Sequence, residues 1–489
     1  MSEKRVHTAA RIIRNSLALF VVAAMAKGAG LIIAIIVARY LGAEALGIYA
    51  VLMALTMLCE IVAPMGQQDV LIRSVARVPA SMLRLWVESG ATTILFAAVF
   101  SLILAAGGRM LGLDPDVLLA VDVVALSLPI GASSMVAQAV LQGLERMKFL
   151  AVATFLGRVA GLATLIVMLE FGAGVYSAFV GRFVFHLLTL GILAVVIFRY
   201  GRSIGATTDW RFTPRYLAGA TKAALPFAGQ RVLAEAAIRS SVLVLPLLLS
   251  MRSVGLFDAA DRLRQTIASI IPIVMLAIMP AFSRVFRDDR ERAAELAEYS
   301  MKFLLIVVFP MAFLVAAAAP AIIGLLYGSG YESSATVLQI VIWSQVFMAA
   351  DMVLKQAMIG SDNEKAMLWR SAVSVVLQIA LTVILTRAFG IHGAAAAIVA
   401  GGVFMVALDA HFVSRHVVRM NLLSATAKPL LCAAVAGAVA LALADFNLAI
   451  VFAAFGSAYL AILFLIRTFS AEELSLMRSL PRHLLKTRR

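Results

Sequence analysis

The chain has 489 residues, of which 63% are apolar and 14% charged, against roughly 45–50% and 25% in ordinary soluble domains. That apolar excess excludes a water-soluble fold, and at about 20 residues per bilayer crossing it can furnish up to roughly 15 membrane spans. Lys and Arg outnumber Asp and Glu by 42 to 27, a net charge of +15, which suits anionic lipid or an anionic substrate, although basic cytoplasmic loops account for much of it.

Apolar runs bounded by charges, Gly or Pro predict about fourteen helices. In chain order they begin near Asn15, Ala45, Leu85, Val117, Leu150, Ala173, Ala223, Val254, Tyr299, Ala335, Met367, His392, Ala427 and Leu448. The first follows Lys4, Arg5, Arg11 and Arg14 and contains the small-residue string Ala24, Met25, Ala26, as a signal peptide would. Its apolar pattern runs on through Leu31 to Val37, which predicts an uncleaved helix. The runs are apolar all round, whereas strands of a membrane barrel alternate polar and apolar residues. With the N-terminus inside, about 30 of the 42 basic residues fall in cytoplasmic segments. The 199–222 loop, the 284–292 loop and the tail from Arg478 to Arg489 are all basic and agree with this, and both termini are then cytoplasmic.

An internal repeat runs through the chain. LGIYAV at Leu46 to Val51 has its counterpart in VGLFDA at Val254 to Ala259, Pro64 recurs as Pro272, and VARV (Val75–Val78) falls in step with FSRV (Phe282–Val285). Farther on, FGAGVYSAFVG from Phe171 is echoed by FGIHGAAAAIVAG from Phe389. The offset is about 208 residues at first and about 218 later, which reads as two halves of six helices each with small insertions. An even number of spans gives both halves the same orientation, related by an axis along the membrane normal. The expected fold is an all-α polytopic membrane protein: a six-helix lobe at 1–205, a second at 206–420, and two extra spans with a basic tail at 421–489.

Eight cations fall inside predicted spans: Lys27, Arg158, Arg182, Arg231, Arg239, Arg262, Arg264 and Lys355. Facing all of them to lipid would cost roughly 20 kcal/mol or more at about 2.5–3.5 kcal/mol each, so they face protein or a watery cavity. Arg231, Glu235 and Arg239 share one face of span 7 at i, i+4, i+8, so the glutamate leaves one arginine unmatched. Asp258, Asp261, Arg262 and Arg264 can neutralise one another, and Asp351 and Lys355 form an i, i+4 pair. Arg182 and His186 share a face without a nearby acid; Arg158 and Lys27 also lack a local one. Glu60, Asp122 and Asp409 are partners available from other helices. Each charge taken singly can be half of a helix-tying salt bridge. As a set, Lys27, Arg158, Arg182, Arg231 and Arg239 against Glu60 and Glu235 leave a positive interior. Guanidinium groups in such a cavity offer bidentate bonds to phosphate or pyrophosphate.

Other chemistry is absent. No GxxxxGK[ST] phosphate loop, HExxH or GxSxG occurs, and Cys59 and Cys432 have no metal-type spacing. No metal, cofactor or nucleic acid is expected. Pro226 and Pro272, flanking the charged parts of spans 7 and 8, are hinge candidates, whereas Pro129 and Pro310 read as ordinary kinks.

VARYLGAEALGIYAVL at Val37 to Leu52, followed by MGQQDVLIRSVARV at Met65 to Val78, resembles the opening of the oligosaccharide and polysaccharide flippases of the multidrug/oligosaccharidyl-lipid/polysaccharide exporter superfamily. The family pattern is met by Arg39, Leu41, Gly42, Leu46, Gly47 and Tyr49. The resemblance implies two six-helix lobes around a central cavity and a polyprenyl-diphosphate-linked oligosaccharide moved outward across a bacterial inner membrane. It implies membrane lipids as partners and leaves room for polysaccharide polymerase and export proteins. No substrate motif carries over residue by residue. Substrate contacts are therefore assigned from charge to Lys27, Arg158, Arg182, Arg231, Arg239 and Arg262, and ion coupling to Glu60, Glu235 and Asp351. A cation-coupled multidrug exporter shares the layout but calls for an acidic or aromatic cavity. A membrane polysaccharide polymerase or ligase calls for a large outer loop, and the longest here is about ten residues.

Overall fold

The computed structural model describes residues 3–206, 229, 231–269, 271–272, 290–360, 364–418, 420–442 and 448–466. The predicted start of span 7 at Ala223, Pro226, Pro280, most of both basic loops and the basic tail lie outside these residues. The described chain has no strand. Its helices are α1 (Glu3–Val62), α2 (Gln67–Arg77), α3 (Met82–Met110), α4 (Pro115–Gly143), α5 (Met147–Glu170), α6 (Tyr176–Ser203), α7 (231–244), α8 (Met251–Ala268), α9 (Arg290–Tyr327), α10 (Glu332–Val341), α11 (Ser344–Gly360), α12 (Glu364–His416), α13 (Leu422–Ala442) and α14 (Leu448–Leu465).

Eight helical stretches among the described residues are long and apolar enough to cross a bilayer. Two of them, Lys27–Val62 and Trp369–His416, are each bent by a glycine in the left-handed region, Gly42 at φ 83° and Gly390 at φ 59°. A side chain at either position would strain the backbone. Non-helical backbone at Gly42 and Gly390 thus divides each run in two, so that spans 1 and 2 of the sequence are two helices joined at Gly42, and spans 11 and 12 two joined at Gly390. Gly172, the repeat counterpart of Gly390, also has a left-handed φ of 79°. Outward faces are apolar because the solvent there is hydrocarbon: Leu102 is 71% and Ile103 60% exposed.

The described residues fall into two compact units. The first comprises Ile12–Ala259 with Ser371–Arg387, the second the described parts of Met1–Arg11, Ala260–Arg370 and Ala388–Arg489. In the first unit, Leu71 and Val75 of α2 pack with Met82, Leu83, Val136, Val140, Leu150, Leu193 and Ile197 from α3 to α6. Also in this unit, α1 and α8 touch backbone to backbone. A Cβ at Gly47 would fall 1.9 Å from the Met251 carbonyl oxygen, and a Cβ at Gly255 would fall 1.8 Å from that of Ala43. Gly47 and Gly255 are repeat counterparts, and so are Ala43 and Met251. The two approaches are thus made by pairs of positions that the sequence repeat relates to each other.

In the second unit, Leu304, Leu305, Val308 and Ala312 of α9 pack with Val353 and Ala357 of α11, Cys432 and Ala436 of α13 and Phe455 of α14. Kinks in both units are repaired by one device. Proline has no N–H to give the carbonyl four residues back, and lipid offers no substitute. Pro129 leaves the Ala125 carbonyl free, and Ser101 Oγ of α3 donates to it at 2.6 Å. Pro310 leaves that of Ile306 free, and Tyr459 Oη of α14 donates to it at 2.7 Å. Tyr459→Phe is expected to cost about 1–3 kcal/mol, the penalty of an unmet buried carbonyl. A thermal-aggregation scan in detergent checks it, with no change as the contrary result.

Candidate functional site

Five side chains from α1, α5 and α6 meet inside the first unit. Gly157, Gly161 and Gly181 let α5 and α6 approach so closely that a Cβ at Gly161 would lie 2.4 Å from the Gly181 carbonyl oxygen. This sets the Arg158 guanidinium 4.1 Å over the Phe185 ring, a cation–π contact. One turn along α6, Arg182 Nη2 donates to Glu60 Oε2 of α1, and His186 Nε2 lies 3.6 Å from Glu60 Oε1. Room for that carboxylate comes from Gly131 of α4, where a Cβ would fall 2.3 Å from Glu60 Oε1. Glu60 and His186 are each 5% exposed.

Two guanidinium groups lie near one carboxylate here: Arg182 is paired with Glu60, and among the described residues Arg158 has no ion pair of its own. Glu60 Oε1, Arg158 Nε, Arg182 Nε and both ring nitrogens of His186 are buried without a hydrogen-bond partner. Unmet buried polar atoms cost about 1–3 kcal/mol each.

The remaining predicted site residues lie elsewhere and are mostly paired. Arg231 donates to Gln68 Oε1 at 2.9 Å and to Asp69 Oδ1 at 3.3 Å. Arg239 holds Glu235 at 2.8 Å and also reaches Met57 Sδ at 3.0 Å. Lys27 on α1 is exposed and Arg262 on α8 is half-buried, and both are engaged in further contacts. Asp261 is taken by Arg264 at 2.6 Å, and Asp122 by Arg109 at 2.8 Å. The structure thus brings Arg158 and Arg182 together with Glu60. It holds Arg231 and Arg239 on acids of their own, one of which, Asp69, does not figure among the span acids read from sequence.

In the second unit Asp351 lies in a four-charge network. Arg370 Nε donates to Asp409 Oδ1 at 2.6 Å, its Nη2 reaches Asp351, and Lys355 Nζ holds Asp351 Oδ2 at 2.6 Å. Asp409 is 1% and Arg370 8% exposed. The network sets two acids against two cations. Arg370, three residues past the predicted start of span 11, is a span cation that sequence reasoning missed. Asp409, deep in an apolar run and therefore in need of a cation, was the signal pointing to it.

The backbone superposes on known transporters. A lipid II flippase, MurJ, in an inward closed conformation matches with a TM-score of 0.74 at 15% identity, covering 93% of this chain and 99% of that one. An inward-facing multidrug resistance MATE family transporter of the MOP superfamily matches with a TM-score of 0.64 at 15% identity, over 79% of this chain and 93% of that one. These likenesses show the fold. A probable low-salt glycan biosynthesis flippase, Agl15 of Haloferax volcanii, is 23% identical over 177 residues, 36% of this chain. The match spans 38% of that relative's length. The sequence profile described as polysaccharide biosynthesis protein matches residues 36–336. With more than half its length inside that profile and a multi-pass helical transporter fold, the chain belongs to the polysaccharide biosynthesis protein family.

Proposed function

We infer that the protein is a flippase that carries a polyprenyl-diphosphate-linked oligosaccharide from the inner to the outer leaflet of a bacterial inner membrane, with both termini cytoplasmic. The observation that carries this reading is the buried cluster in which Arg158 and Arg182 face one carboxylate and several polar atoms lack partners. The profile match and the MurJ-like fold support it. Guanidinium forks match phosphate oxygens, and the diphosphate displaces Glu60 from Arg182 while Arg158 supplies the unmatched charge. Lobes at 1–205 and 206–420 rock about the symmetric Gly47 and Gly255 region, and the prenyl tail stays in lipid. A membrane potential negative inside favours outward movement by about 2.3 kcal/mol per charge per 100 mV, so roughly 4–5 kcal/mol for a diphosphate of about two charges. No bond is made or broken, so the chain acts as a carrier and not as a catalyst.

Arg158→Gln is expected to reduce delivery of lipid-linked glycan in proteoliposomes at least tenfold with normal protein yield. Arg158→Lys, which keeps charge but loses the fork, retains part of it. Full delivery by Arg158→Gln would remove the site. The MATE-like fold favours a second reading, a cation-coupled multidrug exporter. Mass spectrometry of lipids retained after gentle purification separates the two: polyprenyl-diphosphate sugars support the flippase, and an amine drug in their place supports the exporter.

A further inference from the structure

In the first unit α1 and α2 meet α7 and α8 at several places, Arg239 to Met57 among them, and two of these contacts differ in kind. At the ends of α1 and α8 near Gly47 and Gly255, carbonyl groups press on glycines, and no side chain can move aside. At the other end, between α2 and α7, the described hydrogen bonds across the halves are those of Arg231 to Gln68 and Asp69, where Arg231 is 48% and Asp69 31% exposed. By the distribution of basic residues this second end faces the cytoplasm. α2 itself is anchored, because Gln67, Leu71 and Val75 are buried along one face.

Resting on the flippase reading, we propose that Arg231 is the first group to meet the diphosphate, and that Gln68 and Asp69 hold it as a stand-in anion, keeping the cytoplasmic end latched until phosphate replaces them. The fork of Arg231 already receives a carboxylate oxygen and an amide oxygen, the same pair of acceptor positions that two phosphate oxygens fill. Water reaches both partners, so exchange needs no prior unfolding, and a half-exposed pair is weak enough for a doubly charged competitor to take. Unlike Arg158 and Arg182, then, Arg231 acts at admission.

The test uses the full chain in nanodiscs, with Cys59→Ser and Cys432→Ala removing native thiols and spin labels at Ala76→Cys on α2 and Ala234→Cys on α7, both exposed. Inorganic pyrophosphate is the probe. Expected results are a shift of the distance distribution to longer values with pyrophosphate, the same shift without it in Asp69→Asn, and at least a fivefold loss of the pyrophosphate response in Arg231→Gln. The swapped pair Asp69→Arg with Arg231→Asp restores the short distance but not the response, which a merely structural ion pair would not separate. An unchanged distribution with pyrophosphate, while calorimetry still shows binding that Arg158→Gln abolishes, overturns the latch and leaves the flippase reading standing. Absence of any pyrophosphate binding overturns both.

Discussion

Arg370→Met is expected to destabilise the protein by about 3–5 kcal/mol, the range for removing one partner of a buried ion pair. Arg370 bridges Asp409 and Asp351, and only Lys355 remains to face the two carboxylates once it is gone. Asp409 is almost wholly enclosed, so water cannot take the place of the guanidinium. Adding Asp409→Asn to Arg370→Met leaves Asp351 with Lys355 as a balanced pair, and the double variant is expected to recover at least half of the loss. Thermal retention of a monodisperse peak in detergent measures both. If the single variant keeps the parent's melting behaviour, the network carries no buried charge of the kind described.

Gly47→Ala, a single added methyl group, is expected to cost more than the usual 1–3 kcal/mol of overpacking. The methyl would sit 1.9 Å from the Met251 carbonyl oxygen, and a carbonyl has no rotamer by which to yield. Gly255→Ala meets the Ala43 carbonyl in the same way, so the two variants are expected to match in size, as repeat counterparts should. Gly191→Ala on α6 is the control: nothing lies within 4 Å of its added Cβ, and alanine favours helix over glycine by about 1 kcal/mol. Equal melting of Gly47→Ala and Gly191→Ala would mean that α1 and α8 do not meet there.

The spans themselves were legible from hydropathy, because lipid forces each backbone polar group into a helix and leaves long apolar runs as the trace. The glycine-marked repeat was also legible, and Gly47 facing Gly255 gives it a spatial meaning. Pairing was less so. The i, i+4 neighbours Arg239 with Glu235 and Lys355 with Asp351 follow from helical spacing. No spacing rule connects Arg182 to Glu60, 122 residues earlier, or Arg370 to Asp409, 39 residues later. Asp69 is not among the acids that the sequence offers as partners, and its hold on Arg231 lowers the interior charge surplus on which the site rested.

Composition alone therefore decided that this chain lives in a bilayer as bundled helices, since burial in hydrocarbon depends on residue type and run length and hardly on neighbours. Which charges cancel and which stay unmatched was decided only by tertiary packing, because charge balance is a property of side chains a few ångströms apart in space. Of the cations first assigned to substrate, Arg158 is the one that packing leaves on an aromatic ring with no ion pair among the described residues.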